Sequence, residues 1–260
     1  MRKKTFAFLL ALFVAAFLLP PFLFATDKEQ EAQVQELFSQ GVDALNQGNA
    51  NLALEKFTAA LKLDPELPEA YINRGIALRR LEQYVEAVED FDQALKLAPQ
   101  SPEALYNRGL AYSLSGLYDK ALADYTQALK YAPQDWQIFY NRGNTYLDQG
   151  KSGEALNDYN QALKINPQAP EAYLNRGLAF LDLKKPEQAL ADANKVLELN
   201  PHFARANYVK AQALEQSGRK PEAMAAYRRF LETGHPEKDR DLMQKALDQL
   251  QKLEGKSSEQ

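Results

Sequence analysis

The chain has 260 residues and a formal net charge of -4, with 45% hydrophobic and 25% charged residues, an ordinary composition for a folded protein. Its basic residues are dispersed and form no stripe with aromatic neighbours, so nucleic acid is not an expected partner. The sequence contains no cysteine, which excludes disulfides, thiolate metal sites and lipid attachment through cysteine.

The first 25 residues differ in character from the rest. Arg2, Lys3 and Lys4 precede an apolar run at residues 6–19, which is followed by two prolines and "FLFA". A basic start, an apolar run and a small residue before Thr26 are typical of a secretory signal peptide. The alternative is an uncleaved membrane anchor, because residues 6–25 carry no charge and are long enough to span a bilayer. Either alternative exports the following chain, so we expect a periplasmic, secreted or outward-facing membrane-anchored protein.

The remaining sequence repeats with a period of 34 residues, which is marked by prolines at positions 65, 99, 133, 167 and 201. This period predicts six repeats within residues 34–236, at approximately 34–67, 68–101, 102–135, 136–169, 170–203 and 204–237. We expect residues 26–33 to lead into the first helix, residues 237–254 to form a capping helix with one apolar face, and residues 255–260 to form a loose tail.

Each repeat shows the apolar spacing of two amphipathic helices. Position 8 of the repeat is glycine in the first five repeats, position 20 is alanine in all six, and position 24 carries an aromatic ring in five. Small residues at positions 8 and 20 allow the two helices to approach closely, and the ring fills the space beside them. Glycines at the end of four first helices suit left-handed C-terminal caps, namely Gly48, Gly116, Gly150 and Gly218. Trp136 begins the fourth repeat, and we expect it to pack at a repeat junction.

This pattern resembles the tetratricopeptide repeat, a unit of two helices in 34 residues. The resemblance covers roughly residues 34–236. It implies an all-α fold, a right-handed α-α superhelix that ends in the C-terminal capping helix, and a role in binding other proteins.

The triplet Asn-Arg-Gly occupies positions 6–8 of repeats two to five. In the same four repeats position 23 is aspartate, whereas repeats one and six lack both the arginine and the aspartate. An ion pair between helices, within or between repeats, would explain this shared occurrence, and so would recent duplication of a whole unit.

The asparagines of the triplet lie on the first helices, which stacking would place side by side along the inner wall. An asparagine amide offers an acceptor and two donors, which complement a peptide group. The row is similar to the asparagine ladder in the repeat domain of O-linked N-acetylglucosamine transferases, although Ser39 and Val209 interrupt it at both ends. We therefore expect a concave groove that binds an extended peptide through the amides of Asn73, Asn107, Asn141 and Asn175 and through the neighbouring Ile72, Tyr106, Tyr140, Leu174 and Leu110. The alternative for the neighbouring residues is that adjacent helices bury part of each row.

No motif in the sequence indicates catalysis, a cofactor or a metal. His202 and His235 have no metal-ligand spacing, and there is no phosphate-binding glycine loop or nucleophile motif. Position 2 of the repeats lacks the lysines of a carboxylate clamp. The sequence thus favours a non-catalytic scaffold that binds an extended peptide or partner segment, with a possible membrane tether through residues 6–25. The alternative is an envelope or membrane-complex assembly factor that uses the convex face or the helix edges.

Overall fold

The computed structural model describes residues 22–255. The predicted signal or anchor segment, up to residue 21, and the end of the predicted tail lie outside the described residues. Among residues 22–255, no helix is both long enough and apolar enough to cross a membrane.

Residues 22–255 form thirteen helices and no strand, which confirms the all-α fold. The helices are α1 (Phe22–Asn46), α2 (Ala50–Leu63), α3 (Pro68–Arg80), α4 (Tyr84–Leu97), α5 (Pro102–Leu114), α6 (Tyr118–Tyr131), α7 (Trp136–Asp148), α8 (Ser152–Ile165), α9 (Pro170–Asp182), α10 (Pro186–Leu199), α11 (Ala204–Gln216), α12 (Lys220–Thr233) and α13 (Arg240–Leu253). The helix α1 includes residues 26–33 and begins at Phe22, within the predicted signal or anchor segment.

The chain divides after Pro99 into two compact units. The described part of the N-terminal unit holds α1 to α4, in which each helix packs against the next and α1 also contacts α3. The C-terminal unit holds four helix pairs, α5/α6, α7/α8, α9/α10 and α11/α12. In this unit the second helix of each pair packs against the first helix of the next pair, and α13 packs on α12.

Helix ends follow the local sequence. Proline at the first position fits α3, α5 and α9, because proline supplies helical backbone geometry where no amide donor is needed. Ser101 caps α5 by accepting a hydrogen bond from the backbone N–H of Ala104 at 3.2 Å. Gly48, Gly116, Gly150 and Gly218 all have positive φ after first helices, which confirms the predicted caps.

The core repeats with the sequence. The rings of Phe57, Phe91, Tyr125 and Tyr159 are fully buried between the two helices of their own pairs. A Cβ added to Gly143 would lie 2.8 Å from Tyr159 Cε1, so the ring could not keep its present position beside an alanine at residue 143. The helix α13 covers the last pair through Ala246 and Leu250, which pack into the cluster that contains Tyr227 and Phe230. The predicted capping helix is therefore confirmed.

Candidate functional site

The arginines of the triplet form ion pairs within their own helix pairs. Each guanidinium donates two hydrogen bonds to an aspartate on the second helix, at 2.6–2.8 Å. The side chains of these aspartates are buried and those of the arginines are about one-fifth exposed. The pairs are Arg74–Asp90, Arg108–Asp124, Arg142–Asp158 and Arg176–Asp192. The predicted ion pair is confirmed, and it lies within a repeat.

Two of these arginines also reach the preceding helix pair. Arg142 donates to Thr126 Oγ1 at 3.1 Å, and Arg176 donates to Asn160 Oδ1 at 2.7 Å. The guanidinium of Arg176 also lies over the rings of Tyr173 and Phe180. Arg142 and Arg176 therefore each join the second helix of their own pair to the second helix of the preceding pair, which is a structural role.

Burial acts on the pKa of both members of the Arg176–Asp192 pair. Burial raises the pKa of the Asp192 carboxyl, although its hydrogen bond and ion pair with Arg176 oppose this. For Arg176 burial lowers the pKa, but the hydrogen bond and charge of Asp192 outweigh it and raise the pKa above the ordinary value. The arginine stays charged at any physiological pH, so the pair does not act as a pH switch there.

The triplet asparagines of the C-terminal unit lie on α5, α7 and α9, and each of these helices contacts the next. The Asn107 amide donates to the backbone carbonyl of Glu103 at 2.9 Å, and the Asn141 amide donates to that of Gln137 at 2.9 Å. In the N-terminal unit Asn73 makes the same contact with Glu69, at 2.8 Å. The amide nitrogen in these residues is thus tied to its own helix.

Two of the asparagines donate hydrogen bonds to tyrosine hydroxyls on the preceding first helix. Asn141 Nδ2 donates to Tyr106 Oη at 2.9 Å, and Asn175 Nδ2 donates to Tyr140 Oη at 3.2 Å. Burial raises the pKa of Tyr140, so its hydroxyl stays protonated. These bonds join α5 to α7 and α7 to α9, and they orient the amides of Asn141 and Asn175.

Asn144 extends this network and was not singled out from the sequence. Its Oδ1 accepts from Asn175 Nδ2 at 2.9 Å and from Tyr159 Oη at 2.8 Å. Its signal in the sequence is a polar residue at position 9, where repeats one, two, three and five carry an aliphatic side chain.

The network determines what the amides can offer to a ligand. Both Nδ2 hydrogens of Asn141 and of Asn175 are used internally. Their Oδ1 atoms accept no hydrogen bond from any residue between 22 and 255. Asn141 and Asn175 are partly exposed, so each presents an acceptor and no free donor. The expectation that every amide offers both is wrong for these two residues.

Three predicted site residues are buried. Asn107 is 5% exposed, Ile72 is 4% exposed and Leu174 is 8% exposed. Leu174 packs in the cluster with Ala206 and Val209 of the following first helix. The prediction that these three line an exposed surface is wrong, because neighbouring helices cover parts of the row. Tyr106, Leu110 and Tyr140 are partly exposed. With Asn141 and Asn175 they define the first-helix face of the C-terminal unit.

Three other predictions concern residues outside this face. His202 and His235 are exposed, and His235 Nδ1 accepts a hydrogen bond from the backbone N–H of Glu237. Within the described chain, no cluster of three or more His, Cys, Asp or Glu side chains has a metal-binding arrangement. Trp136 packs against Leu163 and Ala169 at the junction of the fourth and fifth repeats, as expected.

Comparison with known families agrees with this geometry. Residues 38–102 and 174–238 match the family described as tetratricopeptide repeat, and these two segments make up half of the chain. Residues 102–135 and 124–157 match further tetratricopeptide repeat families, and residues 143–184 match one described as TPR repeat. The chain belongs to the tetratricopeptide repeat family, a class of scaffolds that generally bind protein partners.

Several solved structures share the fold. YrrB, described as a TPR protein with an unusual peptide-binding site, has a TM-score of 0.62 and 23% identity, over 75% of this chain and 100% of that one. A tetratricopeptide repeat protein of Parabacteroides merdae has a TM-score of 0.67 and 21% identity, over 88% and 95% of the two chains. PilF of Pseudomonas aeruginosa has a TM-score of 0.71 and 16% identity, over 88% and 100%. At these identities the likeness shows the fold alone.

One curated relative is similar in sequence. The uncharacterized protein MJ0572 of Methanocaldococcus jannaschii is 36% identical over 59 residues, which are 23% of this chain and 69% of that protein.

Proposed function

We propose that this protein is a non-catalytic scaffold that binds an extended segment of a partner protein on the first-helix face of its C-terminal unit. The observation that carries the proposal is the pair of partly exposed amides, Asn141 and Asn175, whose nitrogens are held internally and whose oxygens are free. A fixed acceptor loses little conformational entropy when it binds, which favours recognition.

The first-helix face binds the main chain of the partner by accepting hydrogen bonds from the partner's backbone N–H groups. Asn141 and Asn175 occupy the same position in successive repeats, so their oxygens can accept from two separated peptide N–H groups of one extended segment. Tyr106, Tyr140 and Leu110 supply apolar surface beside them, which suits side chains of the same segment. Main-chain recognition gives affinity with low dependence on sequence, and the apolar neighbours then select among partners.

The test begins with the full chain in mild detergent, carrying a photo-crosslinking residue in place of Leu110. A second version carries the crosslinker at Gln161, an exposed residue of α8. After the crosslinked partner is identified, its affinity is measured for the double variant Asn141→Ala/Asn175→Ala. Two lost hydrogen bonds of about 1 kcal/mol each should weaken binding by about tenfold to thirtyfold.

The matched control is Asn157→Ala/Gln161→Ala, which removes two exposed amides from α8 and should leave the affinity unchanged. If the Asn141→Ala/Asn175→Ala variant and the wild-type chain bind the partner with equal affinity, at equal thermal stability, then the first-helix face is not the binding site.

A second candidate function is assembly of an envelope or membrane complex through a helix edge. Leu114 and Leu117 favour it, because they are 56% and 46% exposed at the turn between α5 and α6. Hydrogen exchange with the identified partner separates the two functions. Protection of α7 and α9 supports the first-helix face, and protection confined to the α5–α6 turn supports the edge.

A further inference from the structure

A separate cavity of about 330 Å³ lies in the N-terminal unit, between α1 and the segment that leads into α3. Its apolar wall is formed by side chains that are buried or partly buried, and its rim is acidic. The wall consists of Val34, Phe38 and Leu67, and the rim consists of Glu31, Asp64 and Glu69 together with the neutral Gln35. We call this cavity the α1 pocket.

In the fourth repeat, the place equivalent to the α1 pocket is filled by the side chain of Trp136. Val34 and Trp136 both occupy position 1 of their repeats, and Phe38 and Tyr140 both occupy position 5. In the fourth repeat the indole of Trp136 packs against Leu163, Ala169 and Ala172, and its ring centroid lies 6.1 Å from that of Tyr140. Valine in the first repeat leaves this place without an aromatic ring.

The rim selects the charge of an occupant. Glu31 and Glu69 are exposed, and neither forms an ion pair with any side chain that the structure describes, from residue 28 to residue 255. Asp64 uses one carboxylate oxygen to accept the backbone N–H of Glu66 at 2.9 Å. Three carboxylates around an apolar wall attract a cation whose neighbouring group is apolar.

We propose that the α1 pocket receives an aromatic side chain of a polypeptide partner, with a lysine or arginine beside it in the partner's sequence. This inference rests on the proposed function in that both assign the chain a polypeptide partner, and it adds a separate recognition site in the N-terminal unit. The aromatic ring takes the place that Trp136 fills in the fourth repeat. The adjacent cation lies among the carboxylates of the rim, and ring and cation together set a preference that main-chain contacts do not provide.

The probe is a fluorescein-labelled peptide, Gly-Ser-Lys-Trp-Lys-Ser-Gly, whose binding to the full chain in mild detergent is followed by anisotropy. We expect saturable binding that weakens with added salt. The Glu-Trp-Glu and Lys-Ala-Lys versions of the peptide should each bind at least about tenfold more weakly, since each lacks one of the two recognised groups. Absence of saturable binding, or equal binding of the Glu-Trp-Glu peptide, overturns the proposal.

Two variants locate the binding. Val34→Trp fills the pocket from within, as Trp136 does in its repeat, and should weaken binding by at least about tenfold. Glu31→Gln/Glu69→Gln changes only exposed groups, so it keeps the fold and should weaken binding by about fivefold. The matched control, Glu86→Gln/Glu89→Gln, makes the same charge change at exposed positions on α4. It should lower the affinity for the peptide by no more than about twofold. Wild-type affinity in both pocket variants places the peptide elsewhere and overturns the proposal.

The outcome is independent of the first-helix face. Loss of peptide binding in the pocket variants, together with unchanged partner affinity in Asn141→Ala/Asn175→Ala, contradicts only the proposed function. The reverse pattern contradicts only the α1 pocket.

Discussion

At the scale of single residues, the glycine of the triplet gives room to the ring that faces it in repeats two to four. In these repeats a Cβ at this glycine would come within 2.7–2.8 Å of a ring carbon, and at Gly41 of the first repeat it would come within 2.6 Å. The fifth repeat differs because Ala193 replaces the ring. There the nearest atom to an added Cβ is Val209 Cγ1, at 3.3 Å. The same glycine thus has different constraints in neighbouring repeats.

This difference predicts unequal costs for one substitution. Gly143→Ala pushes Tyr159 from its place and should lower the free energy of unfolding by about 1–3 kcal/mol. Gly177→Ala needs only a small shift of Val209, and alanine gains about 1 kcal/mol of helix propensity over glycine, so its effect should be near zero. Urea denaturation of the two variants measures both values. Equal destabilisation would contradict the assignment of the ring as the cause.

The Arg–Asp pairs are the second constraint at this scale. The Asp158 side chain is 6% exposed and its partner Arg142 is 17% exposed, so removal of one member leaves a charge without compensation. Arg142→Met should lower the free energy of unfolding by about 3 kcal/mol. The double variant Arg142→Met/Asp158→Leu should cost less than this single change, because no uncompensated charge remains. Thermal and urea unfolding measure the difference. A double variant less stable than the single one would show that the charge pair itself contributes the stability.

At the scale of helices, the ends of the first helices determine how each pair turns. The second residue after the helix has φ between 71° and 77° at four glycines. In repeats two and five the same position is Glu82, with φ 61°, and Lys184, with φ 57°. These two residues adopt a left-handed backbone conformation that costs roughly 1–2 kcal/mol for residues with a Cβ. Two turns are therefore less stable than the other four.

Replacement by glycine should relieve this cost. Glu82→Gly and Lys184→Gly should each raise the free energy of unfolding by about 0.5–1 kcal/mol, since part of the gain is lost to the greater freedom of glycine in the unfolded chain. The reciprocal change Gly150→Ala should destabilise by about 1 kcal/mol. Urea denaturation tests all three variants, and loss of stability in both glycine variants would contradict the explanation.

At the scale of the whole molecule, the helix pairs within each unit contact mainly their sequence neighbours, which is typical of repeat proteins. The helix α13 closes the C-terminal unit with Ala246 and Leu250 on the apolar side and polar residues outside. The same chain begins with a segment of signal or anchor character. We propose that this segment exports the repeats, which places the partner outside the cytoplasm.

Export can be measured with alkaline phosphatase fused after Gln260, because this reporter is active only outside the bacterial cytoplasm. We expect activity with the full chain and none when residues 2–25 are deleted. Alkaline extraction of membranes then separates the two alternatives, since a cleaved protein is released and an anchored one stays in the membrane pellet. An inactive fusion of the full chain, present at normal levels, would contradict export.

Much of the architecture could be predicted from the sequence because it depends on local spacing. The period of 34 residues, the glycine and alanine columns and the turn glycines each specify a helix, its end or a close contact within one pair. The aspartate and arginine columns occur together, which indicated an ion pair. Its assignment to one helix pair required the structure, because the sequence contains no distances between helices.

The candidate site was predicted less well. Spacing identified which side chains share a helix face, but it could not show which of them the next helix covers, as it covers Leu174. It also could not show that the Asn141 and Asn175 nitrogens are held by Tyr106 and Tyr140, since those contacts join residues 35 apart. Burial and hydrogen-bond partners depend on packing between repeats, and a repeating sequence specifies each repeat more closely than it specifies the contacts between them.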